Sequence, residues 1–252
     1  TILVPAEPTD SSSEERRGDW FVGFEFGRVL PSAYRTVTTP LRFDGGDQFC
    51  TGGWLYVDAN LLAKNVPAVF PDREALIAHL AEISGYPRER IEMIGTSPDE
   101  IPNHHVCMYM AALPSGQLMV ADATPEGVDL PAAYSALRAK GIPATYSEEF
   151  ARRCDFVADW LTSRGHKVAR VPIFPCDDPK TWATYTNVLT EQRTAPDGSR
   201  STHVYLPVFG EPGADGAGER AWPAHGVSVH RVDVSRIYMH RGALRCLTLP
   251  LS

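Results

Sequence analysis

From Phe43 onward, short extended stretches alternate with amphipathic helical ones, and this alternation constrains the fold more than any other feature of the chain. Strand-like segments cover 54–58, 105–111, 117–121, 168–174, 203–209, 227–234 and 244–249. Helical periodicity covers 71–84, 132–140 and the stretch between Ser147 and Gly165. Elements that alternate in this way pack as layers of one α/β domain rather than as separate sheet and helix domains. Segments of about fifty to sixty residues repeat one order of elements: strand, turn, strand, helix, strand. The repetition is structural, since the residues themselves differ.

Local chemistry supports the helices. Pro71 suits a first helical turn, Leu76, Ile77, Leu80 and Ile83 form one apolar stripe, and Gly85 suits the position just past the end. After Ser147, residues Phe150, Cys154, Val157 and Leu161 are spaced as one helix face, with Gly165 as the stop, so Cys154 is expected in the core. The helix over 132–140 is closed by Gly141. The glycine-rich stretch 211–219 reads as a loop and 195–200 as a hairpin tip. Residues 5–18, rich in Ser, Pro, Glu and Arg, read as a flexible segment, so the expected organisation is a tail over 1–18 and one domain over 19–252.

Composition excludes several classes of function. A net charge of −7 leaves no broad basic surface for nucleic-acid phosphates, whereas converging acids would suit a cationic small molecule or basic peptide. The longest apolar runs, such as Leu55 to Val57 and Met108 to Leu113, fall far short of the roughly 20 residues of a membrane-spanning helix. The five cysteines, at 50, 107, 154, 176 and 246, form no CxxC pair and indicate neither a disulfide framework nor a zinc ribbon. A reducing, cytoplasmic compartment is the expectation, while a leader ahead of Thr1 stays open. Gly45-Gly46 and Gly52-Gly53 lack the spacing of phosphate-binding loops, so no nucleotide cofactor is expected.

Taken alone, Cys246 reads as a buried cysteine and His105 as an ordinary surface or core residue. Their surroundings change that reading. Cys246 lies in Gly242-Ala243-Leu244-Arg245-Cys246-Leu247-Thr248, six residues from the end of the chain. Upstream stand Phe43-Asp44-Gly45-Gly46-Asp47, the stretch Leu62-Ala63-Lys64-Asn65, and His104-His105-Val106-Cys107. Gly165 to Pro172, Tyr185-Thr186-Asn187 and Val204 to Gly210 follow in order. Together these motifs resemble agmatine deiminases and bacterial peptidylarginine deiminases of the pentein, or guanidine-modifying, superfamily, and they cover about 40–252.

That resemblance implies an α/β propeller of modules around a pseudo-fivefold axis, with a first module that is truncated or atypical. It also implies Cys246 as nucleophile and His105 as acid/base partner. A guanidinium carbon is a poor electrophile, so a thiolate is needed, and an imidazole can hand a proton to the departing ammonia and later activate water. Carboxylates on the guanidinium nitrogens would hold the carbon against sulfur, and Asp19, Asp44 and Asp47 are the candidates. Asp19, which opens the apolar stretch over 20–24, reads equally as a cap, and one of Asp44 and Asp47 as a turn former. With 105–111 as a strand, His105 and Cys107 share a face, Val106 and Met108 enter the core, and His104 points away.

Two residues depart from the family pattern: Cys107 stands where deiminases carry an aspartate that binds guanidinium, and Arg245 where a histidine or another residue precedes the nucleophile. No metal site is expected, although a trio of Cys107, Cys246 and His105 leaves zinc binding or a disulfide as alternatives. The leading reading is a hydrolase acting on a small-molecule or peptide guanidine or amidine through a covalent Cys246 adduct. An amidinotransferase and a non-catalytic binding module are the alternatives, and a homo-oligomer is left open.

Overall fold

A computed structural model describes residues 2–6, 19–33, 35–178, 181–222, 226–240 and 242–248. The chain opens with β1 (Ile2–Pro5), α1 (Asp19–Val29) and β2 (Thr36–Thr39), and β1 pairs parallel with β2. Residues 2–5 of the expected tail are thus a strand, and residues 7–18 lie outside the described set. The apolar stretch over 20–24 is part of α1.

Three larger units follow among the described residues. The first comprises β3 (Gln48–Thr51), β4 (Trp54–Asp58), α2 (Ala59–Asn65), α3 (Arg73–Ser84) and β5 (Ile91–Ile94). The second comprises α4 (Val106–Tyr109), β6 (Met110–Ala112), β7 (Leu118–Asp122), α5 (Leu130–Ala139), α6 (Glu148–Ser163), β8 (Val168–Pro175) and β9 (Trp182–Thr184). The third comprises β10 (Leu189–Thr194), β11 (Arg200–Val208), α7 (Pro212–Arg220) and β12 (Val227–Asp233). In each, an antiparallel hairpin is extended by a parallel strand reached through helix: β3-β4-β5, β6-β7-β8 with β9 added, and β10-β11-β12. This is the repeated scheme read from the sequence, in separate sheets rather than one continuous sheet.

Covered strands must be apolar on both faces, and these are. Leu55 and Val57 of β4 pack with Leu61, Leu76 and Leu80, while Tyr56 between them faces a second core with Phe49, Ile94 and Val106. In β7, Leu118 and Val120 enter that second core and Met119 a third, shared with Val171, Tyr185, Val204 and Trp222. Gly85 stops α3 where the sequence placed its end, whereas the helix begins at Arg73, just after the expected start at Pro71. The Asp72 side chain caps α3 by accepting from the Ala75 N–H, and Gly85 closes it in the left-handed region at φ +75°. Ser147 caps α6, and Cys154 is fully buried as expected.

Three expectations about the backbone are corrected. The expected strand over 105–111 begins as the helical turn α4 and becomes a strand only at β6. Val106, Cys107, Met108 and Tyr109 are all buried, so no alternation of polar and apolar residues distinguishes the two forms. The expected strand over 244–249 contains a 3₁₀ turn at Arg245–Leu247. The stretch over 211–219, expected as a loop, is mostly α7, because its glycines serve close packing. A Cβ at Gly218 would run into the Tyr185 ring, while the Glu211 carboxylate accepts from the Gly213 and Ala214 N–H groups and caps the helix. The hairpin tip lies at 195–199, as read from the sequence, between β10 and β11.

Candidate active site

The segments just ahead of the first strand of each unit meet one another. They are the Asp44–Asp47 turn before β3, the His105 turn before β6, and residues 185–188 before β10. The Cys107 N–H donates to the Gly46 carbonyl at 3.2 Å. Thr184 and Thr186 both donate from Oγ1 to the Met108 carbonyl, at 2.7 and 2.8 Å. Asn187, fully buried, donates from Nδ2 to the Cys107 carbonyl at 2.9 Å and reaches the Cys246 sulfur at 3.4 Å. Its Oδ1 accepts from the Arg245 N–H at 3.0 Å and the Cys246 N–H at 3.4 Å. One asparagine therefore ties the C-terminal turn to the second unit.

His105 and Cys107 share a neighbour even though they do not lie on a strand. A Cβ added to Gly46 would sit 2.7 Å from His105 Nδ1 and 2.8 Å from the Cys107 sulfur. Only glycine admits both side chains there. Asn187 Nδ2 also lies 3.7 Å from the Cys107 sulfur, so the two cysteines share this neighbour, and the Cys246 sulfur lies 3.6 Å from Met108 Sδ. Met108 enters the core as expected, and His104 packs edge-on against Trp182 while its Nδ1 accepts the His105 N–H.

The acidic groups form the other side of this cluster. Asp44 Oδ2 lies 3.4 Å from His105 Nε2. Lys64 Nζ bridges Asp44 Oδ2 at 2.8 Å and Asp47 Oδ2 at 2.6 Å. The Asp44 N–H donates to Asp47 Oδ2, and Asp47, 1% exposed, keeps a buried Oδ1 with no hydrogen-bond partner among the described residues. Asp44, Asp47 and His105 offer ligand atoms within 4.8 Å of one another, but Lys64 already places a cation between the two acids. Asp19 is the first residue of α1, and its side chain lies outside the described set.

Behind the His105 turn, Asp58 caps α2 and accepts from the Tyr109 hydroxyl and from Asn60 Nδ2. Asn60 Nδ2 also donates to the Pro102 and His104 carbonyls, each at 3.1 Å. Burial, opposed by the Tyr109 hydrogen bond, raises the Asp58 carboxyl to about 6.

These contacts polarise the cluster. The hydrogen bond from Cys107, opposed by burial and aided by the Ala243 backbone, Asn187 and the charge of His105, lowers the Cys246 thiol to about 6. The same bond and burial push Cys107 far above its ordinary value. Burial disfavours the His105 imidazolium, but the Asp44 hydrogen bond and the charges of Asp47 and Asp44 win and raise its pKa. Burial works against the Asp44 carboxylate, yet His105 and Lys64 hold it well below the usual range. These shifts favour the thiolate at Cys246 and the imidazolium at His105, forms suited to attack on carbon followed by proton delivery.

Sequence reasoning singled out Cys246, His105, Cys107, Asp44 and Asp47, and the structure brings them together. It missed the roles of Asn187, Gly46 and Lys64, although all three stood inside the motifs that carried the resemblance. Two surface hollows of about 620 and 400 Å³ are lined by groups around α6 such as Arg152 and Trp182 and include neither His105 nor Cys246. Among the described residues, no helix is long and apolar enough to cross a membrane.

An α/β chain of repeated hairpin-plus-helix units, with a cysteine–histidine pair where the units meet, has clear structural counterparts. It is similar to the agmatine deiminase of C. jejuni with a TM-score of 0.64 at 14% identity, over 97% of this chain and 65% of that one. A Cys→Ser variant of that enzyme with substrate bound matches at 0.63 and 12% identity, over 97% and 65% of the two chains. A protein provisionally assigned as a peptidyl-arginine deiminase matches at 0.62 and 14%, over 92% and 64%. These are members of the pentein superfamily, and at these identities the shared property is the fold. The chain spans just under two thirds of their length. No protein-family model matches it, and no curated protein does.

Proposed function

We propose that this chain is a pentein-type hydrolase that attacks the central carbon of a guanidine or amidine, with Cys246 as nucleophile and His105 as acid and base. The observation that carries the reading is the polarised cluster itself. Cys246 is lowered to about 6 by its neighbours, while Asp44, 3.4 Å from Nε2, raises the pKa of His105. A buried thiol with a merely structural role would be shifted the other way, as burial pushes Cys154 and Cys176.

In this reading the thiolate adds to the amidine carbon, the π electrons move onto nitrogen, and His105 supplies the proton with which ammonia or an amine leaves. Water then adds to the thiouronium carbon as His105 takes a proton from it. The C–S bond breaks, releasing the urea or amide product and the free thiolate. An amine in place of that water would give amidino transfer from the same adduct. The substrate is a small molecule or peptide, since the solved counterparts are named for agmatine and peptidyl-arginine. The remaining part of the proposal concerns the fold: residues 19–252 form one propeller-like domain, in which α1 and β2, with β1 paired on from residues 2–5 of the expected tail, stand for a contracted first module. Cysteine usage supports a reducing compartment.

The test is ammonia release from a panel of agmatine, arginine, a peptidyl-arginine and simple amidines, with Cys246→Ser as the silent control. Turnover retained in Cys246→Ser would transfer the nucleophile's role to Cys107. No release from any compound, with Cys246 reacting like free cysteine, would favour the non-catalytic module.

A further inference from the structure

Asp44 and Asp47 are the carboxylates a cationic guanidinium would be expected to seek, yet both already hold a cation. Lys64, on α2, lies 2.8 Å from Asp44 Oδ2 and 2.6 Å from Asp47 Oδ2. We propose that Lys64 is a specificity-determining residue: its ammonium stands in for the substrate's positive charge, so the site takes amidine-type carbons that are uncharged near neutral pH. The inference rests on the reading of Cys246 as nucleophile and adds the substrate class.

Three observations support it independently of the resemblance. Lys64 has a side-chain exposure of 27% and Asp47 of 1%, so the bridge is enclosed rather than a solvated surface pair. Among the described residues, the Asp44 and Asp47 carboxylates face the Lys64 ammonium, and His105 Nε2 lies 3.4 Å from Asp44. Position 107 contributes a thiol, not a third carboxylate, and that thiol shares Asn187 Nδ2 with Cys246. Among the described residues, Asp47 Oδ1 is a buried acceptor with no hydrogen-bond partner, and it needs an N–H but no positive charge.

The chemistry suits an uncharged substrate. As the Cys246 thiolate forms its bond to the amidine carbon, the C=N π electrons move to nitrogen and take the proton of the His105 imidazolium. Thiolate and imidazolium are neutralised together, and no net charge is created. An alkylguanidinium, whose basicity approaches that of arginine at roughly 12.5–13.8, arrives protonated and must displace Lys64 or go without an acidic partner. Nitroguanidines and cyanoguanidines, in which a strongly electron-withdrawing group removes the basicity, fit this site.

Two isosteric probes that differ in charge test this without knowledge of the natural substrate: 2-chloroacetamidine, a cation, and 2-chloroacetamide, which is neutral. The alkylation rate of Cys246 with each is followed by mass spectrometry, and their ratio is divided by the same ratio for glutathione at the same pH. Wild type is expected to give a normalised ratio within about threefold of one. Lys64→Met, which frees the carboxylates, should raise it about tenfold or more, and Lys64→Arg should leave it near the wild-type value. A wild-type ratio of about ten or above overturns the proposal whether or not Lys64→Met folds. An unchanged ratio in a Lys64→Met protein that retains its circular-dichroism spectrum overturns it as well. If Cys246 reacts with both probes no faster than glutathione, the catalytic reading falls and this one falls with it, a result distinct from a reactive Cys246 that prefers the cation.

Discussion

Gly46→Ala, compared with Gly45→Ala next to it, isolates the geometry of the site from the chemistry of its groups. A Cβ at Gly46 would meet His105 Nδ1 at 2.7 Å, His105 Cβ at 2.8 Å and the Cys107 sulfur at 2.8 Å, whereas a Cβ at Gly45 meets nothing within 4 Å. Ordinary contact begins near 3.4 Å, so the histidine and the thiol must each retreat by roughly 0.6 Å, or the turn must move by as much. Overpacking of this kind costs about 1–3 kcal/mol, a fall in Tm on the order of 5 °C for a chain of this size. The functional loss should be larger than the structural one, because a misplacement near 1 Å can cost about a hundredfold in rate. Retreat of Cys107 also weakens the bond that polarises Cys246. The assay pairs thermal unfolding with the alkylation rate of Cys246 from pH 5 to 9. Gly46→Ala should melt earlier and lose most of the enhanced reactivity near neutral pH. Gly45→Ala should alkylate like wild type and be slightly stabilised, by about 0.4–1 kcal/mol, through its less flexible unfolded chain. If Gly46→Ala reacts and melts like wild type, the packing of His105 and Cys107 about residue 46 is wrong.

Asn187→Leu keeps the bulk of the side chain but removes the acceptor for two N–H groups and the donor to the Cys107 carbonyl, so a cost of about 1–3 kcal/mol per stranded group is expected. Hydrogen exchange in residues 242–248 should rise, and an unchanged exchange pattern would refute the tie. Cys246 reactivity should appear as pH rises through about 6, since the depressed thiol is a thiolate above that value and protonated below it. Turnover should fall again at higher pH as His105 loses its proton above the ordinary 6.5, giving a bell, and His105→Gln should move the alkylation midpoint upward. An alkylation midpoint near 9 in wild type would contradict the polarised cluster. Cys107→Asp should tighten binding of a cationic guanidinium by about ten- to a hundredfold while blunting the thiolate, so affinity and turnover must be measured separately. If it changes neither, residue 107 does not face the substrate.

Much of this fold is legible before any coordinates, because its signals are local. The stripe of α3 and its Gly85 stop are neighbours in sequence, and Trp54–Asp58 emerged as a strand with the bounds read from its residues. The order of hairpin, helix and parallel strand also survives, since each unit closes largely on itself. The candidate site was legible only as a set of residue types, through motifs whose order resembles known deiminases. Its geometry was not, because the contacts that make it join positions far apart in the chain: Gly46 with Cys107, Lys64 with Asp47, Asn187 with Cys246. Periodicity fails at Val106–Tyr109 for a related reason, since a segment buried on every side shows neither a strand's alternation nor a helix's stripe. At α7, glycines that look like a loop are needed where the helix backbone meets Tyr185, a residue of another unit. Sequence determined which elements form and which reactive groups are available, because those depend on neighbours along the chain. Tertiary structure alone decided that Lys64 neutralises the acids and that Cys107 polarises Cys246, because charge and hydrogen bonding act over a few ångströms of space whatever the separation in sequence.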